Sequence, residues 1–81
     1  MLESVYQRKV IKRLEGEGYY VIRLLKTSTN GIPDLLALKP DEPALFVEVK
    51  ASGGRVSELQ KYRMKELGER GFNVEVDTSP S

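Results

Sequence analysis

Three polar residues in the middle of the chain have the types and the spacing that metal-assisted hydrolysis requires. Asp34 opens one short apolar run, Glu48 lies in the next run, and Lys50 follows two residues later. Because the chain has no Cys and no His, thiolate sites and imidazole ligands are excluded. Any metal bound here must be a hard, oxygen-binding ion such as Mg²⁺ or Mn²⁺.

The turn between the two apolar runs sets the register of these residues. Lys39–Pro43 predicts a turn, so Leu38 should face Ala44 in a β-hairpin. The same register places Asp34 opposite Glu48, where the two Cβ atoms lie roughly 4.5–5.5 Å apart. Two carboxylates at this distance repel each other, and a divalent cation removes the repulsion.

Lys50 adds a positive charge beside the two carboxylates. The two-residue period of a strand puts it on the same face as Glu48, about 6.6 Å further along. There it could orient an attacking water, which a bound metal would make more acidic, or stabilise charge that develops on a phosphate. A second interpretation stays open, because Lys50 could relieve the carboxylate repulsion without any metal.

Two further polar side chains are directed towards the same region. In the first helix, Glu3 lies on the stripe otherwise formed by Val10 and Leu14. It is either aimed at the site or a first-turn carboxylate that the helix dipole favours. Gln60 lies on the inward side of the second helix, and it also completes an S-x-x-Q capping box with Ser57. Both interpretations of each residue stay open.

The hydrophobic pattern predicts two helices and four strands in the order αβββαβ. The helices are Glu3–Glu15 and Ser57–Gly68, and the strands are Tyr19–Leu25, Asp34–Leu38, Ala44–Lys50 and Phe72–Val76. The inward candidates on the second helix are Leu59, Arg63 and Leu67. The final strand–helix–strand unit predicts a right-handed crossover and an α/β fold with one mixed sheet flanked by helices. We expect the tail Thr78–Ser81 to fray.

The composition predicts a small, soluble, intracellular domain. The 81 residues include 13 basic and 12 acidic side chains, for a net charge of +1, and 40% of the residues are hydrophobic. This balance excludes a polybasic tail and an acidic disordered segment. No apolar run approaches a membrane span, and the first residues lack the features of a signal peptide. We expect residues 1–81 to form one domain.

The order of the polar residues resembles the PD-(D/E)XK nuclease motif. Within that superfamily, the chain is similar to a stand-alone VRR-NUC (virus-type replication-repair nuclease) domain. The segments that carry the resemblance are Asn30–Asp34, Phe46–Ala51 and Ser57–Gln60, with Glu3 in the opening helix. The resemblance covers nearly the whole chain and implies a restriction-endonuclease-like core.

The resemblance implies a Mg²⁺- or Mn²⁺-dependent phosphodiesterase that acts on DNA. The implied metal ligands are Asp34, Glu48, the Val49 carbonyl and Glu3, the last bound directly or through water. Lys50 would assist the attacking water, and Gln60 would complete the site.

The resemblance also indicates the partners. Small viral members of the family resemble Holliday-junction resolvases, which implies a homodimer acting on four-way DNA junctions inside a host cell. Because the net charge is low, DNA binding must rest on local basic patches. The candidates near the site are Lys26, Arg55, Lys61 and Lys65. A second basic cluster on the first helix comprises Arg8, Lys9, Lys12 and Arg13.

Three functional hypotheses follow from these observations. The first is a structure-specific endonuclease that resolves four-way junctions. The second is a flap or nicking nuclease that serves as one module of a larger assembly. The third is a DNA-binding or scaffolding domain whose carboxylates are structural. It predicts that stability does not depend on metal and that Lys50→Ala loses no activity.

Overall fold

The computed structural model describes residues 2–79, and its elements follow the predicted order. Helix α1 spans Glu3–Gly16 and helix α2 spans Glu58–Glu69. The strands are β1 Tyr20–Arg23, β2 Leu35–Leu38, β3 Leu45–Lys50 and β4 Asn73–Thr78. The predicted α/β fold class is confirmed. Within residues 2–79, neither helix has the length and apolar character needed to cross a membrane.

A four-stranded sheet in the order β1-β2-β3-β4 forms the centre of the fold. β2 pairs antiparallel with β1 and β3, and β4 pairs parallel with β3 after the crossover through α2. In the hairpin, Leu36 lies opposite Phe46, which is the register predicted from the turn at Lys39–Pro43. The confirmed register leaves Asp34 one residue outside the paired part of β2.

Helix α1 forms the core by covering one face of the sheet. Val10 and Leu14 are buried, as the helical periodicity predicted. Alternate residues of the two central strands meet them and are also buried: Leu35, Ala37, Leu45, Val47 and Val49. Full burial of such a side chain stabilises a fold by about 1.5–3 kcal/mol. This face therefore supplies most of the hydrophobic stabilisation.

Two polar residues of α1 attach it to the edge strand β4. Arg13 Nη2 donates to Glu75 Oε1 at 3.1 Å and to Asp77 Oδ2 at 3.0 Å, and the Tyr6 hydroxyl also donates to Asp77. Burial acts against the charged guanidinium, but these ion pairs raise the pKa of Arg13. DNA binding by the cluster that includes Arg13 stays a prediction, but three carboxylates already pair with this guanidinium.

The opposite face of the sheet is only partly covered. α2 lies on this side but packs mainly against β4, and none of its residues, all of them described, is fully buried. The uncovered apolar side chains, which we call the open face, are Tyr20, Ile22, Leu36, Leu38, Phe46 and Phe72. Tyr20 is 71% exposed. Phe72 packs edge-on against Phe46, with ring centroids 6.1 Å apart.

Strand β4 begins one residue later and ends two residues later than the hydrophobic pattern predicts. Its parallel pairing with β3 continues to the pair Lys50–Thr78, and the Ser79 amide then donates to the Lys50 carbonyl at 2.9 Å. The prediction of fraying is therefore wrong for Thr78 and Ser79. Pro80 and Ser81 lie outside the described residues.

Candidate functional site

The start of β2 and the end of β3 bring the two predicted carboxylates together. Glu48 is 1% exposed, and Asp34 is half-buried. Asp34 Oδ2 accepts a hydrogen bond from the Val49 amide at 2.9 Å. Asp34 thus lies against the residue next to Glu48, in agreement with the register of the hairpin.

Glu48 uses one carboxylate oxygen for two donors and leaves the other without a partner. Gln60 Nε2 donates to Oε2 at 2.8 Å, and Lys50 Nζ lies 3.1 Å from the same oxygen. Oε1 is buried and has no hydrogen-bond partner among residues 2–79. Leaving a buried acceptor unsatisfied costs about 1–3 kcal/mol, and more when it is charged. This oxygen is therefore available to a ligand that residues 2–79 do not supply.

Burial raises the pKa values of both carboxyl groups above their ordinary values. For Glu48, the nearby charge of Asp34 adds to the increase, and Lys50 opposes it. For Asp34, the hydrogen bond from Val49 opposes the effect of burial, and the charge of Glu3 adds to it. Burial and the neighbouring acidic groups together therefore favour the neutral form of each carboxyl group, and Lys50 opposes this effect only in part.

Gln60 makes contacts with both the helix cap and the carboxylate site, the two places that its sequence context suggested. Its Oε1 accepts from the Ser57 amide at 2.9 Å, and its own amide donates to Ser57 Oγ at 3.1 Å, which completes the capping box. Its Nε2 is free of the cap and donates to Glu48. One side chain therefore starts α2 and also contacts the site.

Glu3 and the Val49 carbonyl have a less direct relation to the carboxylate pair. Glu3 is exposed at the start of α1, and its charge raises the pKa values of Asp34 and Glu48. Within residues 2–79, however, no three acidic groups form a cluster that could hold a metal ion. Metal binding by Glu3 and by the Val49 carbonyl therefore stays a prediction.

A contact between α2 and the loop before β2 has no counterpart in the predicted site. Arg63 Nε donates to the Asn30 carbonyl at 2.8 Å. Gly31 lies directly on α2, where a Cβ would come within 2.7 Å of Leu59 Cγ. The signal in the sequence was an arginine on the inward side of the second helix, but its partner lies 33 residues away.

The predicted DNA-binding residues lie at different distances from the site. Lys26 and Arg55 are exposed in the loops that follow β1 and β3, and both loops leave the sheet at the carboxylate end. Lys61, one residue after Gln60, pairs with Glu58 at 3.3 Å. Lys65 instead lines a cavity of about 360 Å³ along α2, together with Tyr62, Glu66, Glu69 and Arg70. DNA binding by these residues stays a prediction.

Comparison with known proteins agrees with this geometry. The sequence matches the family model of the VRR-NUC domain over residues 3–80. The chain belongs to the VRR-NUC family. A solved structure of a VRR_NUC domain superposes on this VRR-NUC domain with a TM-score of 0.82 and 32% identity, covering 95% of this chain and 84% of that one. No curated protein matches the sequence.

Family membership confirms the resemblance that Asn30–Asp34 and Phe46–Ala51 indicated. This VRR-NUC domain is therefore a nuclease-type domain with a restriction-endonuclease-like core.

Proposed function

We propose that this VRR-NUC domain hydrolyses phosphodiester bonds in DNA and requires Mg²⁺ or Mn²⁺. The observation that carries the proposal is Glu48 Oε1, a buried carboxylate oxygen without a hydrogen-bond partner among residues 2–79. The charge of Asp34 raises the pKa of Glu48 further. A divalent cation would satisfy the free oxygen and remove the repulsion between the two groups.

The donor atoms of the site fit a hard divalent ion. Asp34 and Glu48 would hold it through the oxygen atoms that Val49, Lys50 and Gln60 leave free. Mg²⁺ keeps several waters and is commonly bound by one or two carboxylates together with substrate phosphates. The absence of a third clustered carboxylate within residues 2–79 is therefore compatible with this ion.

The chain's own residues supply orientation and positive charge. When bound, the cation would polarise the phosphate and make water more acidic. Lys50 is held beside Glu48 and is 16% exposed, so its ammonium group can orient the attacking water or stabilise charge that develops on the phosphate. Gln60 fixes the orientation of Glu48 through a 2.8 Å hydrogen bond.

The test is cleavage of labelled DNA in Mg²⁺, Mn²⁺ and EDTA by the wild type and three variants. Lys50→Ala and Glu48→Gln should each reduce cleavage by at least about 100-fold, because each removes charge aimed at the reacting phosphate or its cation. Lys39→Ala is the matched control, since Lys39 pairs with Glu42 in the hairpin turn at the other end of the sheet. Cleavage that persists in EDTA or in Lys50→Ala would contradict the proposal.

We also propose that the substrate is branched DNA, and a four-way junction first of all. Lys26 and Arg55 lie in loops at the carboxylate end of the sheet, where strands that diverge from a branch point could be bound. The cleavage panel should therefore include a four-way junction, a flap, a nicked duplex and a linear duplex. Paired symmetric cuts in the junction would support resolvase activity, and equal cutting of the linear duplex would contradict branch specificity.

Paired cuts need two active sites, and the open face provides a surface for a homodimer. An aromatic side chain has a surface of roughly 150–250 Å². Given the exposed fractions of its six side chains, the open face exposes on the order of 400 Å² of apolar surface. A stable interface buries about 800 Å² per partner and combines an apolar centre with a polar rim. The six side chains of the open face carry no charge, so they can form the apolar centre of such an interface.

Sedimentation measurements test the homodimer without reference to cleavage. The wild type should sediment at about twice the chain mass of 9.1 kDa, and Tyr20→Lys should sediment as a monomer. Leu25→Lys is the matched control, because Leu25 is 77% exposed but lies outside the open face. A monomeric wild type, or a dimer that persists in Tyr20→Lys, would contradict this interface.

A further inference from the structure

Helix α2 reaches both carboxylates of the site, one directly and one through the loop before β2. Gln60 donates to Glu48. One turn further along α2, Arg63 donates to the Asn30 carbonyl. We propose that Arg63 is a positioning residue that fixes the Asp34 carboxylate by holding this loop. The importance of Asp34 for metal binding rests on the proposed function, but its position can be measured without metal.

The Arg63 side chain is fixed from two directions. Nε donates to the Asn30 carbonyl at 2.8 Å, and Nη1 bonds Glu66 Oε1 at 2.9 Å. A planar guanidinium makes both bonds at once, whereas a lysine ammonium offers a single centre. Among residues 2–79, the bond from Arg63 to the Asn30 carbonyl is the one hydrogen bond that joins the segment 25–33 to another element.

Gly31 allows the same loop to lie directly against the helix. Its φ of +82° favours glycine. A Cβ at this position would come 2.7 Å from Leu59 Cγ and 3.1 Å from Arg63 Cγ. Leu59 and Arg63 lie one helical turn apart on the same side of α2. The loop is therefore held by a hydrogen bond and by close packing at adjacent residues.

The position of this loop determines where Asp34 lies. Pro33 is fully buried and its ring fixes φ, so the chain from Gly31 to Asp34 has little freedom to absorb a displacement. Asp34 Oδ2 accepts from the Val49 amide at 2.9 Å. The exchange rate of the Val49 amide proton therefore reports the position of the Asp34 carboxylate in the metal-free protein.

The first experiment compares amide hydrogen exchange in the wild type, Arg63→Ala and Arg13→Ala, all in EDTA. Arg63→Ala should speed exchange at Val49 by about tenfold, because the hydrogen bond to Asp34 opens more often. Arg13→Ala is the matched control: it breaks the ion pairs of α1 with β4 and should leave Val49 unchanged relative to neighbouring strand amides. Unchanged exchange in Arg63→Ala, or an equal effect in both variants, would overturn the proposal.

The second experiment measures Mn²⁺ affinity by calorimetry in the absence of DNA. Arg63→Ala should weaken binding by about tenfold, as loss of a supporting residue commonly does. Arg63→Lys should restore only part of the affinity. Unchanged Mn²⁺ affinity combined with a raised KM for DNA would overturn the positioning role and indicate a phosphate contact. If the wild type binds no Mn²⁺, the metal-dependent function fails, and the exchange result alone decides the role of Arg63.

A milder variant keeps the test decisive if Arg63→Ala does not fold. Glu66→Gln retains Arg63 but removes the charge that orients it. It should shift the exchange of Val49 and the affinity for Mn²⁺ in the same direction, by a smaller factor. The absence of any shift in this folded variant would count against the proposal.

Discussion

The two helices have similar lengths, 14 residues in α1 and 12 in α2, but they contact the sheet in different ways. α1 places Val10 and Leu14 in the core, at 2% and 0% exposure. None of the described residues of α2 is fully buried, and its contacts with the site are the polar contacts of Gln60 and Arg63. The residues that form the hydrophobic core and the residues of the candidate site therefore lie on opposite faces of the same sheet.

This division has a physical reason. Glu48 lies on the α2 face and is 1% exposed. A buried carboxylate needs polar partners, and a helix that supplies them offers fewer apolar side chains to the sheet. Functional sites commonly lower the stability of the fold in this way. On the α1 face such a carboxylate occurs at the edge strand, where Tyr6 and Arg13 bind Asp77, and the centre of the face can be packed for stability.

The largest difference between the two helices should be seen in the free energy of unfolding when one leucine in each helix is truncated to alanine. Leu14→Ala should lower the free energy of unfolding by about 3 kcal/mol, because Leu14 is fully buried. Leu67→Ala should lower it by about 1 kcal/mol, because Leu67 is only half-buried. Denaturant unfolding measures both. Equal losses would show that α2 contributes as much to the core as α1.

Gln60→Ala should show that α2 serves the site more than the core. It removes the cap and the contact with Glu48, so we expect a loss of about 1 kcal/mol in stability and about tenfold in cleavage. Ser57→Ala is the control, because it removes the hydroxyl acceptor of the cap but no contact with Glu48. If Gln60→Ala loses no more activity than Ser57→Ala, the direct hydrogen bond to Glu48 adds nothing to cleavage beyond the effect of the cap.

Glu48→Gln should stabilise the metal-free protein at neutral pH. Burial raises the pKa of Glu48, so the folded protein binds more protons than the unfolded chain between the ordinary carboxyl pKa and the raised one. Its free energy of unfolding therefore falls as pH rises through this window and stays lower above it.

In EDTA at pH 7, the Glu48→Gln variant should melt above the wild type, because it does not carry the charge that burial penalises. The difference should disappear below about pH 4, where the Glu48 carboxyl group of the wild type is neutral, as the amide of the variant is at every pH. Thermal melts at the two pH values make the comparison. A variant that melts below the wild type at pH 7 would show that the charge of Glu48 is already well compensated.

The smallest effect should come from Tyr6→Phe on the α1 side. The Tyr6 hydroxyl donates to Asp77, but Asp77 keeps its ion pair with Arg13 in the variant, so stability should fall by only about 0.5 kcal/mol, at the low end for a hydrogen bond. Cleavage should not change, because Tyr6 and Asp77 lie on the face of the sheet away from Glu48. A drop in activity without a drop in the melting temperature would contradict the separation of the two faces.

Local signals were sufficient to predict much of the fold and the centre of the site. The turn at Lys39–Pro43 fixed the hairpin register, and the two-residue period then placed Glu48 and Lys50 on one face. The stripe of Val10 and Leu14 identified the buried side of the first helix. Each of these inferences uses residues close together in the chain, where the spacing of side chains follows directly from the geometry of the element.

Contacts between distant residues could not be predicted in the same way. Arg63 and Asn30 lie 33 residues apart, and Arg13 and Asp77 lie 64 apart. The residues that surround Arg13 and Arg63 in the sequence do not indicate which distant residue each one contacts. Arg13 was therefore predicted to belong to a basic surface. The extension of β4 to Thr78 depends on pairing with Lys50 and leaves no hydrophobic signal of its own.

The shared amide group of Gln60 has a consequence for the response to heat. Its oxygen caps α2 and its nitrogen holds Glu48, so fraying of the first turn also releases the carboxylate. Helix ends open at much lower free energies than whole domains. Warming should therefore abolish the proposed cleavage activity while the sheet is still folded, and cooling should restore it without refolding.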